Sequence, residues 1–358
     1  MAVKPIDREN GPVPRLVSVA TAVPAHVLRQ DEVARFAKIL FGASDEADIE
    51  RLLPAFANAG IETRHSCVPL DWYRVPRGWA EKNRLYIENA VQLAADAALD
   101  ALAQAGLGIE DIDTVVAVST SGIATPSLDA LLVERLRMRR DVERMPIFGL
   151  GCAGGVLGLT RAASLARAAP RSKVLFVVVE LCGLTFRHAD RSKSNVIATV
   201  LFGDGAAACV LACDGAGPGI LRGGEYTWPD SLDVMGWRVA DDGFGVLFSR
   251  DIPTLVRRDL RAAADDFLAR AGLTVGDLSG LICHPGGAKV LDALEEAFDL
   301  APGSMVDARE VLARYGNMSA ATVMFVLARA MERGLDGRYL MSALGPGFTA
   351  AFLALGTA

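Results

Sequence analysis

No apolar run in this chain reaches the ~18 residues that a membrane-spanning helix needs. The best candidate, "VLFVVVELC" at 174–182, is too short and carries Glu180. The opening segment, "MAVKPIDRENGPVPRL", is polar and lacks the apolar core of a signal peptide. An excess of positive charge is also missing: the formal net charge is −6, which argues against a nucleic-acid partner. Six cysteines at 67, 152, 182, 209, 213 and 283 follow no disulfide-scaffold spacing, and a chain of 358 residues needs no such staples. Together these absences predict a globular protein of the cytoplasm. No low-complexity linker or charge block divides the chain, so two halves fused into one body are expected.

What the chain does have is a repeat. "AGLGIEDIDTVVAVSTSG" begins at Ala105 and "AGLTVGDLSGLICHPGG" begins 166 residues later, at Ala271. Each follows an Ala- and Leu-rich helical pattern, opens with an Asp turn and continues as an apolar β-type run. The same offset places Cys152 opposite Met318, next to Asn317, and places 173–180 opposite 339–346. A duplicated α/β unit is predicted, divided at 1–218 and 219–358, each half carrying a special residue where a helix starts.

The chemistry centres on "IFGLGCAGGVLGLTRAA", residues 147–163. Gly149, Gly151 and Gly154 spell G-x-G-x-x-G, the pattern of a dinucleotide-binding turn, and Glu180 ends the next strand as a ribose ligand would. Against that, Pro146 suits an edge strand better than a central one. The same loop holds Cys152 at a helix start, where a thiolate is stabilised, although a free Cys is ordinarily just a small buried residue. Partners are scarce, for there are only four histidines. Surface roles suffice for His26, His65 and His188, whereas His284 ends the apolar run "GLICH" and is followed by "PGG". Asn317 opens an apolar helix after Gly316, where it is either an N-cap or a functional group facing Cys152 across the pseudo-twofold.

Taken together, "GCAGG" (151–155), "FGDGAAA" (202–208), "CHPGG" (283–287), "YGNMSAA" (315–321) and "GPGFT" (345–349) resemble the type III polyketide synthases, the chalcone and stilbene synthase-like enzymes. The resemblance runs from about Arg15 to the C-terminus with the motifs in order. It implies an α/β thiolase fold, five-layered αβαβα in two pseudo-duplicated halves, and a homodimer. By position, Cys152 matches the acyl-carrying nucleophile, and His284 and Asn317 match the other two catalytic residues. Phe202 matches the aromatic gatekeeper, while Thr120, Cys182, Thr185 and Ser319 match positions lining the elongation cavity. Gly345, Pro346 and Gly347 match the loop that shapes the site.

The implied reaction loads an acyl-CoA starter on Cys152 and extends it with malonyl-CoA by repeated decarboxylative condensation, followed by ring closure. No metal or prosthetic group is implied, since coenzyme A arrives with the substrates. The basic residues that plant members carry at the coenzyme A entrance are reduced to Arg51, leaving Arg187, Arg191 and Lys193 as candidates. Within the family, 60–90 and 177–205 look more like the bacterial alkylresorcinol and alkylpyrone synthases, and the small Cys182 and Ala198 suit a long acyl chain. The alternative is a ketoacyl-ACP synthase III-like enzyme that condenses once; it would carry a His-Gln-Ala-Asn type segment where "CHPGG" stands.

Overall fold

The computed structural model describes residues 11–42, 50, 53–249 and 251–357. The first half runs through β1 (Arg15–Ala22), β2 (His26–Arg29), α1 (Gln30–Gly42), β3 (Thr63–Ser66), α2 (Trp79–Ala105) and β4 (Thr114–Val118). It continues with α3 (Leu128–Leu136), β5 (Glu143–Ile147), α4 (Gly154–Ala168), β6 (Val174–Leu181), α5 (Lys193–Leu201) and β7 (Asp204–Ala212). The second half comprises β8 (Gly219–Thr227), the hairpin β9 (Met235–Ala240) and β10 (Gly243–Phe248), α6 (Arg261–Arg270) and β11 (Gly280–Cys283). It closes with α7 (Ala288–Ala297), α8 (Val306–Tyr315), α9 (Thr322–Glu332), β12 (Arg338–Gly345) and β13 (Thr349–Gly356).

The duplication is visible in the pairing. From β1 the sheet goes antiparallel to β7, antiparallel to β6 and parallel to β4. From β8 it goes antiparallel to β13, antiparallel to β12 and parallel to β11, the same sequence of directions. Strands of the two halves pair at Arg15 opposite Gly219, joining β1 to β8. The first half adds β5 outside β4, an edge strand that tolerates Pro146 because its outer side owes no ladder hydrogen bond.

Burial explains the layers. All eight residues of β6 and all nine of β7 are buried, the continuous apolar pattern of strands covered on both faces. On the outer face, α2 lays a row of alanines (Ala90, Ala94, Ala97, Ala98 and Ala101) against β1, β6 and β7, and Ser18 Oγ donates to the Ala101 carbonyl at 2.7 Å. Between the two halves of the sheet lie α4 and α9, and α6 covers β13 from the far side, completing five layers. The two central helices touch so closely that a Cβ on Gly155 would come within 2.3 Å of the Ala320 carbonyl oxygen. Residues 151–160 are all buried, so the glycines of this loop serve close packing, and the start of α4 has no room for a pyrophosphate.

Candidate active site

Both central helices are entered in the same way. Cys152 lies in a single 3-10 turn, Gly151–Ala153, that leads into α4. Asn317 stands just before the matching turn, Ser319–Ala321, that leads into α9. Each functional residue is preceded by a glycine in the left-handed region, Gly151 at φ +47° and Gly316 at φ +66°. That conformation reverses the incoming chain so that the next side chain points back between the sheets. His284 arrives by the other route: it follows the last residue of β11, and its N–H donates to the Ser342 carbonyl on β12 at 2.8 Å.

The three side chains converge on one cavity of about 680 Å³. Cys152 Sγ lies 3.7 Å from Ser319 Oγ. Asn317 Nδ2 donates to the Gly286 carbonyl at 3.2 Å, and its Oδ1 accepts the Ser319 N–H at 2.8 Å, which fixes the amide's orientation. His284 is buried with both ring nitrogens unpartnered. Burial pushes its imidazole down to about 4, which holds it neutral. Burial likewise pushes the Cys152 thiol up to about 12, helped by the charge of Glu180 and opposed by hydrogen bonding to Ser319. Burial thus favours the thiol over the thiolate expected from the helix start.

The remaining predicted residues fall into separate places. Gly345–Gly347 packs on the turn that holds Cys152: a Cβ on Gly151 would sit 2.5 Å from Pro346 Cδ. Thr120 Oγ1 accepts the Gly151 N–H at 3.1 Å from behind. Phe202, Cys182 and Thr185 do not line the large cavity but border a second, of about 50 Å³. The cause is packing, because Phe202 closes against Trp237 and Phe248 at ring distances of 6.0 and 5.9 Å. Two residues went unrecognised in the sequence. Glu180, read there as a possible ribose ligand, is fully buried and accepts the N–H groups of Thr120 and Ser121 at 3.0 and 2.9 Å. Its position as the sole charge in an apolar strand was the available signal. Lys289 stands at the cavity rim and had no signal beyond its place after "CHPGGA".

The geometry can be set beside known proteins. Residues 73–218 match the family model for the N-terminal domain of chalcone and stilbene synthases, and 224–355 match the model for their C-terminal domain. The chain belongs to the chalcone and stilbene synthase family, the type III polyketide synthases. A relative from Bacillus subtilis (strain 168) is 39% identical across 94% of this chain and 97% of its own. The 1,3,6,8-tetrahydroxynaphthalene synthase of Streptomyces peucetius subsp. caesius is 37% identical, covering 95% of this chain and 92% of its own. The crystal structure of 1,3,6,8-tetrahydroxynaphthalene synthase from Streptomyces coelicolor A3(2) superposes with a TM-score of 0.91 at 29% identity, covering 96% of this chain and all of that one.

For a synthase, the rim of the cavity matters as much as its floor. Lys193, Asn58 and Lys289 are exposed at the mouth. Arg187 is committed elsewhere, to Asp190 at 2.9 Å and Asp242 at 2.7 Å, and Arg191 lies over the Phe41 ring at 5.4 Å. Arg51 lies outside the described residues. One wall is apolar: Ile252, Pro253 and Leu260 face Val290 and Leu294 of α7. Residues Val256–Leu260 form a π-helical turn. In a regular helix, eight residues from Ile252 would carry Leu260 about 80° around the axis. The wider π turn returns it to the cavity side. No helix among the described residues is long and apolar enough to cross a membrane.

Proposed function

We propose that this synthase loads a medium- or long-chain fatty acyl-CoA starter on Cys152, extends it iteratively with malonyl-CoA and releases an alkylpyrone or alkylresorcinol-type product. The convergence of Cys152, His284 and Asn317 in one cavity with an apolar wall carries the reading. Neutral His284 takes the Cys152 proton as the starter thioester arrives; the thiolate attacks the carbonyl and coenzyme A leaves as its thiol with that proton. Malonyl-CoA then loses CO2, and its electron pair moves onto the thioester oxygen as an enolate held by Asn317 Nδ2 and the His284 N–H. The enolate carbon attacks the Cys152 thioester and frees the thiolate, and the lengthened chain returns to Cys152 for the next round.

Lys193 and Lys289 give the phosphates of coenzyme A a cationic rim, and no cofactor beyond the substrates is required. A homodimer in the cytoplasm completes the proposal, supported by the exposed apolar Phe148 beside the edge strand β5 and by exposed Ile123. A malonyl-primed aromatic product, of the kind in the Streptomyces relatives' names, is the competing reading; the apolar wall favours an alkyl starter.

The test is incubation with labelled malonyl-CoA and starters of graded length, with products read by mass spectrometry. Tri- or tetraketide alkyl products are expected. Single condensations would instead indicate a synthase III-like enzyme, and turnover of malonyl-CoA alone would indicate the malonyl-primed one. Full activity in Cys152→Ala would remove the nucleophile assignment.

A further inference from the structure

Arg64 is a buried cation outside the reacting set, 3% exposed, in the stretch 60–90 that shaped the sequence resemblance without receiving a role. Its Nη1 donates to the carbonyls of Thr199 and Phe202 at 2.7 and 3.0 Å. Its Nη2 donates to the Val200 carbonyl at 2.6 Å and to Gln30 Oε1. Gln30 Nε2 in turn donates to the Phe56 and Val200 carbonyls at 3.3 and 3.2 Å. The carbonyls of Thr199, Val200 and Phe202 belong to the last turn of α5 and the residue after it, where a helix leaves its acceptors unsatisfied and a cation is favoured. Asp204, fully buried nearby, supplies the balancing charge.

The acceptor that Arg64 leaves open is Leu201. Its carbonyl takes the backbone N–H of Asn317 at 2.7 Å, and the Asn317 carbonyl takes the Gly203 N–H at 3.0 Å. Asn317 is thus clipped to the segment whose flanking carbonyls Arg64 holds. The stem of Arg64 also packs in this seam, its Cβ 3.4 and 3.6 Å from where a Cβ would stand on Gly203 and Gly316. The Cys152 wall comes from the first half's central helix and owes nothing to these bonds. We infer that Arg64 is a positioning residue for Asn317: by fixing the end of α5 it sets the distance from the Asn317 amide to the enolate, without touching substrate itself. Lysine cannot replace it, because one ammonium cannot span the fork-shaped set of acceptors.

The inference rests on the role given to Asn317 above, and its test separates the two. Arg64→Lys, Gln30→Met and Asn317→Ala are made singly, and each of the first two is combined with the third. Loading of Cys152 from a straight-chain fatty acyl-CoA is followed by intact-protein mass spectrometry, and CO2 release from malonyl-CoA is followed in parallel. Arg64→Lys should load at the wild-type rate yet release CO2 about 10-fold more slowly or worse, short of the ~10²-fold of a lost oxyanion donor. KM should rise less than CO2 release falls, since α5 meets the cavity through Ile197, Val200 and Leu201. In the Asn317→Ala background it should cost almost nothing more, since both changes remove one interaction. Should Arg64→Lys fail to fold, Gln30→Met carries the test, with the same split on a smaller scale. Loading and CO2 release slowed alike, or losses that multiply with Asn317→Ala, would overturn the inference. If Asn317→Ala alone releases CO2 at the wild-type rate, the proposed function of Asn317 falls and this inference with it.

Discussion

Replacing Glu180 by Gln exposes how burial sets the charge state of the site. The carboxyl lies at the end of β6 with no solvent exposure. One oxygen accepts the Thr120 and Ser121 N–H groups, and the other has no partner. Burial, only partly offset by those hydrogen bonds, raises its ionisation from 4.5 to about 7. A gap of about 2.5 units corresponds to about 3.5 kcal/mol at ~1.4 kcal/mol per unit. In that window the folded protein keeps a proton that the unfolded chain gives up. Stability is therefore full below 4.5 and falls as pH rises toward 7. Gln keeps an acceptor for both N–H groups and cannot ionise. The stability of Glu180→Gln relative to wild type should thus climb by up to about 3.5 kcal/mol from about pH 4.5 to about pH 8, then level off. Urea unfolding midpoints across that range measure it. The Cys152 thiol supplies a second readout: with the neighbouring charge gone, iodoacetamide should alkylate it faster at alkaline pH. A stability difference that does not change with pH would refute the assignment of a strained buried carboxylate.

Other expectations are equally concrete. Gly151→Ala forces a Cβ onto a left-handed residue against Pro346, so it should cost about 1–3 kcal/mol and depress kcat. Gly106→Ala, at φ +66° with open space around it, should show the stability loss in thermal melts without the loss of turnover. Lys193→Ala and Lys289→Ala should raise KM for acyl-CoA with kcat unchanged, and the effect should shrink in high salt as charges at the rim are screened. Leu260→Trp should shorten the longest starter accepted while short starters keep their rate, read from the product profile; an unchanged profile would show that this wall does not meet the chain.

Much of this architecture could be read beforehand because it is written in local patterns. The offset of 166 residues recurs in the structure, with β4 at Thr114 and β11 at Gly280. Pro146 marked an edge strand, and His284 stands at a strand end as its apolar run implied. Residues set by distant partners were not legible. His65, assigned to the surface, is half-buried, stacks on Tyr315 at 5.8 Å and contacts the Pro24 carbonyl. Arg187 resembled a free cation until its aspartates came into view. The burial of Cys152 was not legible for the same reason, because a helix start is a local feature and desolvation depends on both halves closing around it.

The burial that keeps Cys152 protonated also governs how the catalyst ages. Peroxide consumes the thiolate far faster than the thiol. With burial holding the thiol well above its ordinary range, the reactive form is the minor one at neutral pH. If His284 takes the thiol proton as proposed, oxidative loss is tied to turnover, and the working life of the protein is counted in turnovers more than in hours of storage.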